Sequence, residues 1–169
     1  MMPLRIPTYW LLASGLLCTA GALAHLAIPL GGAAWYRFAG APQGLVAMAA
    51  AGLARPVVSC VVIACILVVF AAYAFSALGL VRHLPATRMM LGIMGLGLSV
   101  RGLWFPVLAA QDPVALSRFC GRCGSVNAFV VGSSALCLFI GVGYLLGAWC
   151  SNLAIRPTGR LPATRIHAD

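Results

Sequence analysis

Residues 56–81 read PVVSCVVIACILVVFAAYAFSALGLV and hold no charged side chain. An α-helix rises about 1.5 Å per residue and a bilayer core about 30 Å thick takes around 20 apolar residues, so this stretch is long enough to cross one. Pro56 suits the first helical position, where its missing N–H costs nothing, and Arg82 with His83 closes the run. Working outward, three more windows meet the same requirement: Tyr9 to Ile28, Met89 to Leu108 and Ala128 to Leu153. Thr87 is available to cap the third and Asn127 the fourth. The spans 9–28, 56–81, 89–108 and 128–153 therefore predict an all-α polytopic membrane protein, a four-transmembrane-helix bundle forming a single membrane domain over 1–169.

Composition agrees. Of 169 residues 63% are apolar and 8% charged, against about a quarter charged in a soluble domain. All the basic residues are Arg, Lys and Glu are missing, and the only acids are Asp112 and Asp169; with the abundant Ala, this usage points to a GC-rich bacterial genome. The net charge of +9 does not imply nucleic acid, because the arginines are scattered over both ends and every loop and form no single basic face. An anionic membrane leaflet is the simpler counterpart.

Arg5, Arg82, Arg88, Arg156, Arg160 and Arg165 fall on one side of such a bundle, and Arg37, Arg55, Arg118 and Arg122 on the other. Positive-inside counting then places both termini in the cytoplasm, leaves 29–55 and 109–127 as outer loops, and makes 154–169 a cytoplasmic tail of an inner-membrane protein. The first span has a second reading as a secretory signal cut after Ala22-Leu23-Ala24, but its apolar run continues to Ile28. Leu84-Pro85-Ala86-Thr87-Arg88 recurs as Leu161-Pro162-Ala163-Thr164-Arg165, a short repeat that biased composition explains without a structural duplication.

Helices in lipid associate through small residues. Gly15, Ala20, Gly21 and Ala24 mark a face of the first span; Gly92, Gly95 and Ser99 one of the third; Gly132, Ser133, Gly143 and Gly147 one of the fourth. The outer stretch GGAAWYRFAGAPQGLVAMAAAGLAR (31–55) is too apolar for a solvated loop. Its Trp35, Tyr36 and Phe38 suit the headgroup level, and Pro42 opens a short interfacial helix with Leu45, Val46, Met48 and Ala49 on its apolar side.

Arg101 stands near the middle of the third span, where a charge costs several kcal/mol unless it finds water, a lipid phosphate or a partner. No span contains a carboxylate to neutralise it. His25 reaches a comparable depth at the outer end of the first span, and Trp104, three residues on, shares the Arg101 face and offers a cation–π contact. Arg101, His25 and Trp104 are thus candidates for an outward-opening pocket binding an anionic or carbonyl-bearing ligand; the alternative is an Arg bonded to backbone carbonyls or reaching a phosphate.

Cys120-Gly121-Arg122-Cys123 offers a thiol pair on the outer side, with Arg122 favouring a thiolate. Cys120 and Cys123 form either a redox couple, a structural disulfide or two idle thiols. Zinc needs four ligands and no second pair is offered, and the absence of His after Cys123 argues against covalent haem. Cys18, Cys60, Cys65, Cys137 and Cys150 lie in spans and read as packing. His83 and His167 read as solvated side chains beside the inner arginines. Without an intramembrane acid, proton or cation transport is disfavoured.

His25, the loop GGAAWYRFAGAP (31–42), Met48-Ala49 with Gly52, Tyr73-Ala74-Phe75-Ser76, Arg101-Gly102-Leu103 and SSALCLFIGVGYLLG (133–147) together resemble a group of uncharacterised small four-helix inner-membrane proteins of proteobacteria. That resemblance implies four spans and an inner-membrane location, and carries no activity with it. The helix count and C-x-x-C layout are also similar to the vitamin K epoxide reductase and DsbB group of thiol–quinone oxidoreductases, in which a second outer cysteine pair is normal; residues 29–55 have no cysteine.

The sequence thus leads to the expectation of a non-enzymatic accessory or lipid-associated protein that needs no cofactor or metal. The lipid bilayer, a second copy of the chain or a membrane-protein partner would be its company, and nucleic acid would not. The alternatives are an outward-facing thiol–quinone oxidoreductase using Cys120 and Cys123 with quinone as cofactor, and a small-molecule carrier acting as an oligomer.

Overall fold

The computed structural model describes residues 5–120, 126 and 128–154. Over these the chain forms helices α1 (Arg5–Ala27), α2 (Gly32–Phe38), α3 (Gln43–Ala50), α4 (Ala54–Ala77), α5 (Thr87–Gln111), α6 (Pro113–Phe119) and α7 (Ala128–Ala154), with a 3₁₀ turn at Ile28–Gly31 and, among the described residues, no strand. Four helical segments are long and apolar enough to cross a membrane: the one beginning with α1, and α4, α5 and α7. The expected all-α four-helix membrane bundle is therefore the fold.

Small residues set the packing. In α5 and α7, Gly95 faces the Gly141 carbonyl, and a Cβ on Gly95 would stand 2.8 Å from that oxygen. One heptad further along, a Cβ on Gly102 would meet the Ser134 carbonyl at 2.8 Å. Such close backbone approach recovers dispersion contacts that lipid cannot supply better. Across α1 and α7, Gly143 packs on Ser14 and Trp10, and Gly147 on Leu11; across α1 and α4, Gly15 packs on Ala74 and Phe75. In every pair the numbering runs in opposite directions, so contacting neighbours are antiparallel and the four long helices run up, down, up, down. The ends of α1 and α7 nearest the termini lie on the same side as residues 78–86.

The core contains Leu11, Cys18, Ala71, Ala74, Leu91, Met94, Ile140 and Tyr144. Outward faces are equally apolar: Val58, Val62, Ile66 and Val69 of α4, and Ile93, Leu96, Val100 and Leu103 of α5, are exposed. A soluble monomer does not leave so continuous an apolar surface in water.

Several local expectations need correction. Ala20 and Ala24 are exposed; the buried stripe of α1 is Leu11, Ser14, Gly15, Cys18 and Ala22. Gly92 and Gly132 have open space where a Cβ would go. Helix α4 starts two residues ahead of Pro56 and stops at Ala77, short of the expected Val81. Gly79 ends it: at φ 71°, Gly79 N–H donates to the Ser76 carbonyl and Leu80 N–H to that of Phe75, the paired bonds of a Schellman cap. Thr87 does not cap α5; the N-cap is Ala86, while the Thr87 hydroxyl donates to the Leu84 carbonyl at 2.6 Å.

Part of the stretch 109–127, expected as an outer loop, is also helical. Helix α5 runs to Gln111, and Asp112 then caps α6, its Oδ1 accepting the Ala115 N–H at 2.9 Å with Pro113 as the first helical residue. The expected caps and loop around Asn127 lie outside the described residues, as does the tail beyond Ala154. In 31–55 the expected short helix exists as α3, with Val46 buried against Tyr36 and Cys60.

Candidate functional site

Arg101 lies in α5 two residues past its midpoint, about 3 Å along the axis. Its Nη1 donates to Cys137 Sγ of α7 at 3.2 Å, and its guanidinium carbon sits 4.2 Å from the centroid of the Phe105 ring, one turn on. The expected neighbours differ. Trp104 points away, 59% exposed, because i+3 and i+4 lie on either side of the Arg101 row and only i+4 turns toward α7. His25 is not brought to Arg101 at all: among the described residues no Cα of α1 comes within 8 Å of one in α5. Equal depth did not become proximity, since α7 and α4 separate those two helices.

His25 instead closes on its own helix. The Gly21 carbonyl can only accept, so Nδ1, 2.8 Å away, carries the proton and donates to it. That bond turns the imidazole back along α1.

Cys137 and Cys18 do more than fill space. Tyr144, fully buried, donates its hydroxyl to Cys18 Sγ at 3.6 Å, and its ring lies 6.1 Å from that of Phe70. Sequence reading passed over Tyr144, although a tyrosine near the middle of a span is itself a sign of a polar contact. Cys60, Cys65 and Cys150 are likewise free.

Cys120, at the end of α6, is disulfide-bonded. Cys123 and Arg122 lie outside the described residues. Among the described residues no three His, Cys, Asp or Glu side chains converge as metal ligands.

One concavity was not foreseen. A cavity of about 1030 Å³ opens at the end of the bundle that carries residues 78–86, opposite to the outward pocket expected around Arg101. Leu11 of α1, Gly92 of α5 and Leu145 and Ala148 of α7 make apolar walls, and His83 and Arg88 bring basic groups to its lining; no described lining residue is a carboxylate. The turn carrying His83 is fastened at Leu84, whose N–H donates to the buried Ser76 hydroxyl at 2.8 Å and whose carbonyl accepts from Thr87. Ala86, also in the lining, is held at φ 51°, a left-handed conformation that an L side chain adopts at a cost of about 1–2 kcal/mol. A Cβ on Gly92 would meet open space here, so the missing side chain leaves room in the cavity and makes no close helix contact.

Compared with protein families, curated proteins and solved structures, the chain matches none.

Proposed function

We propose that this chain is a multi-pass protein of a bacterial inner membrane, akin to the small four-helix proteobacterial proteins its motifs resemble, with both termini in the cytoplasm. It performs no reaction of its own and holds an anionic lipid in the cavity between α1, α5, α7 and the 78–86 turn. The carrying observation is the pairing of apolar walls with His83 and Arg88 in a lining that has no described carboxylate. Acyl chains match the walls, and a phosphate matches the cations. Placing the arginine-rich side in the cytoplasm puts this cavity at the leaflet where anionic lipids gather. On the same topology α2 and α3 lie at the outer surface as a cap over the bundle.

The test is lipid retention on purified full-length protein, read by native mass spectrometry. Gly92→Leu puts a side chain into the cavity from a position where its Cβ meets nothing within 4 Å, and is expected to reduce a bound anionic lipid seen in the wild type; Arg88→Gln should weaken the preference for anionic over zwitterionic lipid. Equal retention of both lipid classes by all three proteins would end this reading. A second reading, an outward-facing thiol–quinone oxidoreductase, draws support from the disulfide at Cys120. It requires the Cys120 disulfide, once reduced to thiols, to pass two electrons and two protons to a quinone, giving disulfide and quinol, which thiol trapping of the reduced protein before and after quinone addition measures.

A further inference from the structure

Ser76 is buried one residue before the end of α4 at Ala77. A hydroxyl taken into apolar surroundings is costly unless it is hydrogen-bonded, and an alanine would suit the helix better. The Ser76 hydroxyl finds its partner beyond the helix: it accepts the Leu84 N–H at 2.8 Å, eight residues on. The Leu84 carbonyl in turn accepts from the Thr87 hydroxyl at 2.6 Å. Leu84 is thus clamped between the last turn of α4 and the first turn of α5.

The connection has few other ties. The N–H groups of Leu78, Gly79 and Leu80 still bond back to α4, and the Ala86 carbonyl accepts from Met90 of α5. Among the described residues, the backbone from Val81 to Pro85 is hydrogen-bonded at Leu84 alone. The Leu84 N–H belongs to the same planar peptide unit as the His83 carbonyl, so fixing its direction fixes the backbone of His83 too. On the other side of the clamp Ala86 keeps φ 51°, a conformation that persists only where its surroundings impose it.

His83 and Arg88, the basic groups of the cavity lining, stand on either side of this clamp. Arg88 is carried by α5. His83 has only the turn to hold it. An imidazole offers an N–H to a phosphate oxygen in either protonation state, and where that N–H stands follows from Leu84. Ser76 does not line the cavity and can act on a ligand only through the turn.

We propose that Ser76 is a positioning residue for headgroup selection: through Leu84 it sets the place of His83, and so the preference of the cavity for anionic over zwitterionic lipid, which rests on the lipid reading above. With the clamp intact the turn is ordered before the lipid arrives; without it, the headgroup must order the turn, and part of the binding energy is lost to that ordering.

Native mass spectrometry tests it on purified full-length protein mixed with equal amounts of phosphatidylglycerol and phosphatidylethanolamine, well below the melting temperature of every variant, so that lower stability alone does not move the result. Ser76→Ala is expected to lower the ratio of bound phosphatidylglycerol to phosphatidylethanolamine about threefold to tenfold. His83→Ala should lower it as well, and the double variant should fall no further than His83→Ala, because Ser76 acts through His83. A selective wild type with an equally selective Ser76→Ala, or losses that add in the double variant, would overturn the proposal and leave the lipid reading standing. A wild type without preference would remove both.

Discussion

The Arg101 guanidinium spans the seam between α5 and α7 to place one N–H 3.2 Å from the Cys137 sulfur. A thiol in an apolar helix is thereby an acceptor for the charge of Arg101. Cys137→Val, similar in size but without an acceptor, should destabilise the bundle by roughly 1–3 kcal/mol by leaving that donor unmade. In Arg101→Leu the same change should cost almost nothing. Stability read by unfolding in mixed micelles over the four proteins gives the coupling directly.

Gly141→Ala should separate α5 from α7. Its Cβ would stand 2.5 Å from Ser99 Oγ and 2.9 Å from the Gly95 carbonyl, and backbone cannot yield as a flexible side chain does. A loss of about 1–3 kcal/mol is expected in the same unfolding assay. Gly132→Ala meets nothing within 4 Å and should be neutral or slightly stabilising through helix propensity.

The turn between α4 and α5 offers a pair of opposite changes. Gly79→Ala puts a side chain at φ 71°, and Ala86→Gly removes one from φ 51°. The first should lower and the second raise the melting temperature, each by a free energy of about 1 kcal/mol. Equal signs for the two would show that the turn does not hold these conformations in the membrane.

Tyr144→Phe deletes only the hydroxyl that donates to Cys18 and should cost about 0.5–1.5 kcal/mol. Tyr144→Ala also removes a fully buried ring and should cost about 3–5 kcal/mol.

How much was legible depended on whether the signal was local. Span number and position follow from uninterrupted apolar length, a property of each segment alone, and α1, α4, α5 and α7 all sit within a few residues of the expected windows. The stop at Gly79 and the Asp112-Pro113 start of α6 were also written locally, as a left-handed glycine and an N-cap followed by proline at the first position, but apolar length was read in preference to them. Partner choice was not local. Arg101 was recognisable as an anomaly from sequence, yet His25 and Trp104 were the wrong neighbours, because depth and helix face do not say which helix stands alongside. Ala20 and Ala24 failed for the same reason: small residues permit close packing wherever they occur, and only the arrangement of helices selects Gly15 and Ala22 over them. The cavity arises from four separate elements and has no signature in any one of them.

The claim on which the rest stands is that the exposed apolar faces of the four long helices are covered by lipid. Spin labels placed singly at Val62, Leu96 and Leu136, all exposed, in liposome-reconstituted protein measure this through relaxation by oxygen, which concentrates in hydrocarbon, against a nickel chelate, which stays in water. Strong relaxation by oxygen and almost none by nickel at all three positions is the predicted result. Nickel relaxation equal to that of a label in buffer, with the protein remaining monodisperse once detergent is withdrawn, would contradict it.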